Sequence, residues 1–148
     1  MSEIPEGLPK WIADHVELYL TDPDKAHLWD ASLGGGSGMI PTLLLITKGA
    51  KSGKQRMLPL IYKQIDGNFV IVASKGGAPS HPGWYRNLQA YPDCEIKVGR
   101  DDYRVRARTA QGAEREKLWD EMVDLYAPYT QYQERTDREI PVVVLEPQ

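Results

Sequence analysis

The sequence predicts an α+β fold in which antiparallel hairpins close a small β-barrel flanked by helices. Three observations carry this reading. Asp66-Gly67 separates two apolar runs, residues 56–65 and 68–74. That dipeptide suits a type I′ hairpin turn, which needs φ > 0 at both central positions. A second pair of runs, residues 95–98 and 103–108, flanks Gly99-Arg100-Asp101-Asp102. Helical patterns do not follow every strand, as a parallel sheet would require.

Taken in order, Pro9 opens a helix that runs to about Leu20, with Trp11, Val16, Tyr19 and Leu20 roughly on one face. Thr21-Asp22-Pro23-Asp24 breaks it, and a second short helix covers residues 24–29. Gly34-Gly35-Gly36-Ser37-Gly38 reads as a flexible loop, because no regular element tolerates that glycine density. Residues 1–40 therefore form a helical segment and a Gly-rich loop ahead of the barrel, within one domain spanning residues 1–148. Residues 42–47 are a short buried strand, followed by the Asp66-Gly67 hairpin. Pro82 starts a helix and Pro92 stops it. In the second hairpin Tyr103, Val105 and Ala107 face one side, and Arg104, Arg106 and Arg108 the other. Residues 114–126 form an amphipathic helix with Leu118, Met122 and Leu125 inward. Residues 142–145, after Pro141, are a last apolar strand.

Bulk composition narrows the function. Eighteen basic against 21 acidic residues give a net charge of −3, which disfavours non-specific nucleic-acid binding. No run of 18 apolar residues exists, and Met1-Ser2-Glu3-Ile4-Pro5-Glu6 lacks the apolar core of a signal peptide. The one cysteine, Cys94, excludes an internal disulfide and fits a reducing compartment, so a cytoplasmic location is expected. His15, His27 and His81 lack ligand spacing, and no metal site is expected. Oligomeric state, monomer or homodimer, is left open by the sequence.

Three segments have the composition of a binding site. Lys48-Gly49-Ala50-Lys51-Ser52-Gly53-Lys54-Gln55-Arg56 places a dense cluster of cations between two strands. Its glycine spacing is one residue short of a P-loop, and Gln55 stands where a magnesium-binding hydroxyl would. The loop suits an anion, or is simply a solvated turn. The second segment runs from Ala73-Ser74-Lys75-Gly76-Gly77 to the helix at Pro82. Backbone N–H groups at such a turn and helix start bind anions, and Ser74 adds a hydroxyl at a strand end. No nucleophile-elbow pattern surrounds Ser74. Third, Tyr126, Tyr129 and Tyr132 recur at every third position of a short irregular helix. They are either packing or the wall of a pocket for a flat ligand.

These segments together resemble a known family. Gly49-x-Lys51-Ser52-Gly53-x-x-Arg56-x-x-Pro59-Leu60-x-Tyr62 is followed by Ala73-Ser74-Lys75-Gly76-Gly77, Pro82-x-Trp84-Tyr85-x-Asn87-Leu88, the three tyrosines and Thr136-Asp137-Arg138-x-Ile140-Pro141. This order is similar to the deazaflavin (coenzyme F-420)-dependent nitroreductases, from about Thr42 to the C-terminus. The resemblance implies a split β-barrel like that of flavin mononucleotide-binding oxidases. It implies a bound deazaflavin with an anionic phosphate and oligoglutamate tail. Lys51, Ser52, Arg56, Pro59, Ala73, Ser74, Lys75, Gly76, Gly77, Trp84 and Asn87 match its cofactor-binding positions, with Lys51 and Arg56 on phosphate or tail. Tyr126, Tyr129 and Tyr132 match its substrate pocket, and one of them or Ser74 supplies the proton that follows hydride transfer. Acceptors implied are quinones, nitroimidazoles, and enones such as coumarins and aflatoxins. Ile61 stands where nitroimidazole-activating members carry tyrosine, which favours quinones and enones. Two alternatives are a flavin mononucleotide enzyme on the same barrel and a binder of deazaflavin, or of another flat or lipid-like molecule, without turnover. Trp11, Ile12, Val16 and Leu20 suggest an N-terminal lid or core helix; the nearby Asp14, Glu17, Asp22 and Asp24 disfavour contact with anionic lipid.

Overall fold

A computed structural model describes residues 9–148. The acidic start read as lacking a signal peptide, Met1 to Glu6, lies outside them. Helix α1 (Lys10–Thr21) leads into a short α2 (Pro23–Ala26), and the strands follow as β1 (Leu28–Asp30), β2 (Met39–Lys48), β3 (Gln55–Ile61), β4 (Lys63–Ile65) and β5 (Asn68–Val72). After α3 (Gly83–Ala90) come β6 (Asp93–Val98) and β7 (Asp101–Thr109), then α4 (Gly112–Leu125), α5 (Pro128–Glu134) and β8 (Val142–Pro147). Every pairing among the described strands is antiparallel, in the order β1-β2-β6-β7-β8-β5-β4, with β3 hydrogen-bonded to the other edge of β2. This is the α+β split barrel, an antiparallel sheet curled into a half-barrel.

The sheet curls because a continuous run of sequence changes partner. Residues 56–65 read as one strand, yet β3 pairs with β2 and β4 with β5. The break falls at buried Tyr62, whose hydroxyl meets His27 Nε2 at 2.7 Å. The Asp66-Gly67 turn forms as read, with φ of 52° and 82°. In the second hairpin Val98 already pairs with Asp101, so the turn is the two residues Gly99-Arg100 rather than four. The alternation of β7 holds, with Val105 buried and Arg104 and Arg106 exposed.

Strands without alternation are those buried on both faces. In β8 Val143 and Leu145 point into the barrel core, while Val142 and Val144 pack under α4 and α5. Strand β5 divides likewise, with Phe69 and Ile71 inside and Val70 and Val72 outside. Each such side chain contributes roughly 1.5–3 kcal/mol relative to exposure. Trp84, Tyr85 and Leu88 of α3 join the inner core. Val16 and Tyr19 of α1 cover Leu44 and Met57. Trp11 and Leu20, read on the same face as Val16 and Tyr19, are exposed.

Two N-terminal readings need correction. The helix expected over 24–29 stops at Ala26, because Leu28–Asp30 pairs with Met39–Pro41 as an edge strand. The glycine stretch is packed rather than free. A short 3-10 turn, Ala31–Gly34, ends at Gly35 with φ 92°, and Gly36 N–H donates back to the Ala31 carbonyl. A Cβ on Gly34 would lie 2.1 Å from the Tyr126 hydroxyl, and one on Gly36 2.9 Å from its ring. These glycines admit an aromatic ring against the main chain.

Candidate active site

A cleft of about 1070 Å³ runs between α1, the β2–β3 hairpin, the start of α3 and the α4–α5 junction. Its walls gather residues far apart in sequence. Among those singled out above, Lys51, Ser52, Arg56, Pro59, Ser74, Lys75, Gly76, Trp84, Asn87, Tyr126, Tyr129 and Tyr132 all line it. Ala73 and Gly77 sit behind the wall, fully buried.

The β2–β3 hairpin builds the basic wall. Its register, Lys48 to Gln55, leaves Gly49 to Lys54 as the connecting loop, and puts Arg56 opposite Thr47. Asn87 pins this loop from α3. Its Oδ1 accepts from Ala50 N–H at 2.9 Å, and its Nδ2 donates to the Thr47 hydroxyl at 3.3 Å. Asn87 thus shapes the wall through both amide atoms. Lys51, Arg56, Lys75 and Arg86 all line the cleft, and among the described residues no Asp or Glu does. The ion pairs among the described residues lie elsewhere, so these four cations face the cleft without counter-charges. In a chain of net charge −3 this is a local field suited to an anion.

The turn after β5 carries Ser74, Lys75 and Gly76 to the cleft. Lys75, Gly76 and Gly77 have φ of 46°, 63° and 83°, three left-handed residues in succession. Gly77 allows α5 to close on the turn, since a Cβ there would meet the Tyr132 carbonyl oxygen at 2.5 Å.

The aromatic wall comes from the α4–α5 junction. Tyr126 caps α4, and Tyr129 and Tyr132 lie in α5. Tyr126 and Tyr129 rings meet edge-to-face with centroids 5.0 Å apart, and Trp29 stands between Tyr126 and Trp11 at 6.1 and 6.2 Å. The Tyr126 hydroxyl donates to the Gly34 carbonyl at 2.8 Å and lies 3.3 Å from the Tyr132 hydroxyl, which is left as donor of that pair. Tyr129 is buried and lines the cleft, and its hydroxyl has no hydrogen-bond partner among the described residues. Burial first, then the neighbouring phenols, pushes the Tyr129 pKa above that of a free phenol, and burial raises that of Tyr126. Both stay protonated at neutral pH.

The sequence reading missed Trp29 and Arg86. Trp29 was assigned to a helix, and its role emerges only when β1 pairs with β2. Arg86 was detectable, lying three residues after Gly83 on the face of α3 that also carries Asn87.

A cleft with unpaired cations on one wall, a glycine turn with a hydroxyl beside it and flat aromatic walls fits a long planar cofactor with an anionic tail. Comparisons with known proteins agree. Residues 19–147 match the family described as F420H(2)-dependent quinone reductase. An F420H(2)-dependent quinone reductase of Mycobacterium tuberculosis is 41% identical over 149 residues, covering 93% of this chain and 97% of the relative. A solved structure of an F420-H2 dependent reductase is 45% identical and superposes with a TM-score of 0.67 over 72% of this chain and 94% of that one. A second solved structure, described as a domain-swapped dimer, is 38% identical with a TM-score of 0.70, over 92% of this chain and 97% of that one. The chain belongs to the F420H(2)-dependent quinone reductase family, oxidoreductases whose cofactor is the deazaflavin coenzyme F-420.

Proposed function

We propose that this chain passes a hydride from reduced coenzyme F-420 to flat, electron-poor acceptors. Quinones come first, enones such as coumarins and aflatoxins second, and nitroimidazoles last. The observation that carries this is the cleft itself, where four unpaired cations and three tyrosines line one cavity.

The bound deazaflavin would supply the hydride, because a ring carbon replaces the nitrogen that supports one-electron steps. Lys51, Arg56 and Arg86 would hold its anionic phosphate and tail, Arg56 with a bidentate fork. Ser74, Lys75 and Gly76 would bind at the turn, and Trp84 would bound the groove. The acceptor would lie against the tyrosines, which exclude water from it. Tyr126 directs its proton to the Gly34 carbonyl, and Tyr132 directs its own to the Tyr126 hydroxyl. Tyr129 has its proton free, so it would hold that proton towards the acceptor oxygen on which negative charge develops. Ser74, which also lines the cleft, is the other candidate donor. Ile61 lines the cleft with no hydroxyl to offer a nitro group, which supports the order of acceptors.

The relative solved as a domain-swapped dimer supports a homodimer for this chain too, testable by sedimentation.

The test is a fluorescence titration with coenzyme F-420 and, separately, flavin mononucleotide, followed by oxidation of the reduced deazaflavin with a quinone, a coumarin and a nitroimidazole. Preference for the deazaflavin with quinone turnover is expected. Preference for flavin mononucleotide would overturn the reading. Tight deazaflavin binding with no acceptor reduced would make the chain a carrier.

A further inference from the structure

Arg138 precedes β8 and does not line the cleft. Its guanidinium is partly buried and, among the described residues, has no carboxylate partner. It spends its donors on one short stretch of main chain. Nε donates to the Ala78 carbonyl at 2.8 Å, Nη2 to the Ser74 carbonyl at 2.8 Å, and Nη1 to the Ala73 carbonyl at 3.3 Å. Nη1 also lies 3.0 Å from His81 Nδ1, so that ring nitrogen accepts and the imidazole carries its proton on Nε2. These carbonyls bracket the turn at Lys75, Gly76 and Gly77. A left-handed lysine is a costly conformation that persists only where its surroundings dictate it. Arg135 adds one contact, from Nη1 to the Gly76 carbonyl at 3.3 Å.

We propose that Arg138 is a positioning residue for the cofactor: its forked grip on Ala73, Ser74 and Ala78, closed by neutral His81, fixes the strained turn that presents Ser74, Lys75 and Gly76 to the cleft. This rests on the reading that the cleft holds an anionic deazaflavin. A lysine at 138 is a point donor and spans one or two of those acceptors, never all four.

His81 makes the grip dependent on pH. The charged groups that face it are Arg138 from the segment before β8 and Arg86 from α3, and Tyr85 of α3 packs against its ring at 4.9 Å. Burial first, then the two arginines, lowers its pKa below the ordinary histidine value. Protonation removes the lone pair that accepts from Arg138 and adds a third cation. The turn is therefore held at neutral pH and loosens as the pH falls through the depressed His81 pKa.

The test has two readouts. Amide exchange at Gly77 and Ala78 reports the turn in ligand-free protein, since those N–H groups donate to the Ser74 and Lys75 carbonyls. Arg138→Lys should speed it by about tenfold and weaken coenzyme F-420 binding by about the same factor. In His81→Gln the amide oxygen accepts from Arg138 but does not titrate, so the acid-side loss of affinity seen in the native protein should vanish. Unchanged exchange in folded Arg138→Lys, or the same acid-side loss in His81→Gln, overturns the proposal. Should Arg138→Lys not fold, the His81→Gln profile decides. If the native protein binds no deazaflavin, the functional reading falls by itself, and exchange in ligand-free protein still decides whether Arg138 sets the turn.

Discussion

The Tyr126 hydroxyl and the Gly34 carbonyl are joined by a 2.8 Å hydrogen bond, and their residues are so close that any Cβ at position 34 would occupy the hydroxyl's place. The glycine stretch and the α4–α5 junction thus fix one wall of the cleft together.

Gly34→Ala should displace Tyr126, because its ring is confined by Trp29 and Tyr129 as well. Overpacking of this kind costs about 1–3 kcal/mol. We expect a lower urea midpoint and a raised KM for the quinone, with coenzyme F-420 affinity unaltered. Native kinetics in a destabilised variant would show that Tyr126 does not set the acceptor pocket.

Tyr129→Phe should slow acceptor reduction by roughly 10²-fold, the low end for a lost proton donor, while the deazaflavin Kd holds. Tyr126→Phe should slow it less, since that proton is committed to Gly34, and should lower stability by about 1 kcal/mol. Single-turnover rates with pre-bound reduced cofactor decide between them. Equal rates in Tyr129→Phe and native protein would pass the role to Ser74 or Tyr132.

How much of this was legible in the sequence depends on what decides each feature. The Asp66-Gly67 turn was readable because its backbone demands φ > 0 and few residues supply it. The break at Tyr62 was not, because residues 56–65 form one run and only the competition of β2 and β5 for partners divides it. Strand β1 was hidden for the same reason, being three residues held by β2. The glycines were visible but misread, since their partner Tyr126 lies some ninety residues on. The motif segments carried most of the cleft wall. Arg138 stood in a motif without a role, for its partners are main-chain carbonyls, which leave no mark in sequence.

Alkaline pH should unfold the protein progressively. Burial, then the phenols of Tyr19 and Tyr103, pushes the Tyr62 pKa up to about 12, against about 10 in an unfolded chain. Burial, then Asp93 and Glu95, pushes the Cys94 thiol up to about 12, against about 8.5 unfolded. Between those values the unfolded chain releases protons that the folded chain keeps. Stability is therefore complete below the unfolded pKa values and falls as pH rises towards 12. Urea midpoints should drop from about pH 9 upward, and Cys94→Ala should delay the onset to the phenol range. A flat midpoint through about pH 11 would contradict the burial of both groups.

Arg56→Ala should weaken the tailed cofactor more than a tail-free analogue, because its charge acts on phosphate or tail rather than on the ring. Equal losses for the two ligands would remove that assignment.

Asn87 separates shape from charge on the same wall. Its amide ties Ala50 N–H to the Thr47 hydroxyl, so Asn87→Ala frees the basic loop from α3. Losing the acceptor leaves a main-chain donor unpaired, and we expect about a tenfold weaker cofactor Kd that changes little with added salt. Asn87→Asp keeps the acceptor for Ala50, and the Thr47 hydroxyl donates to it in turn, so the loop stays in place. The new carboxylate instead cancels part of the field of Lys51, Arg56 and Arg86. Its loss of affinity should be large at low ionic strength and shrink as salt screens the repulsion. If both variants lose affinity with the same salt dependence, Asn87 acts through a direct contact with the ligand and not by anchoring the loop.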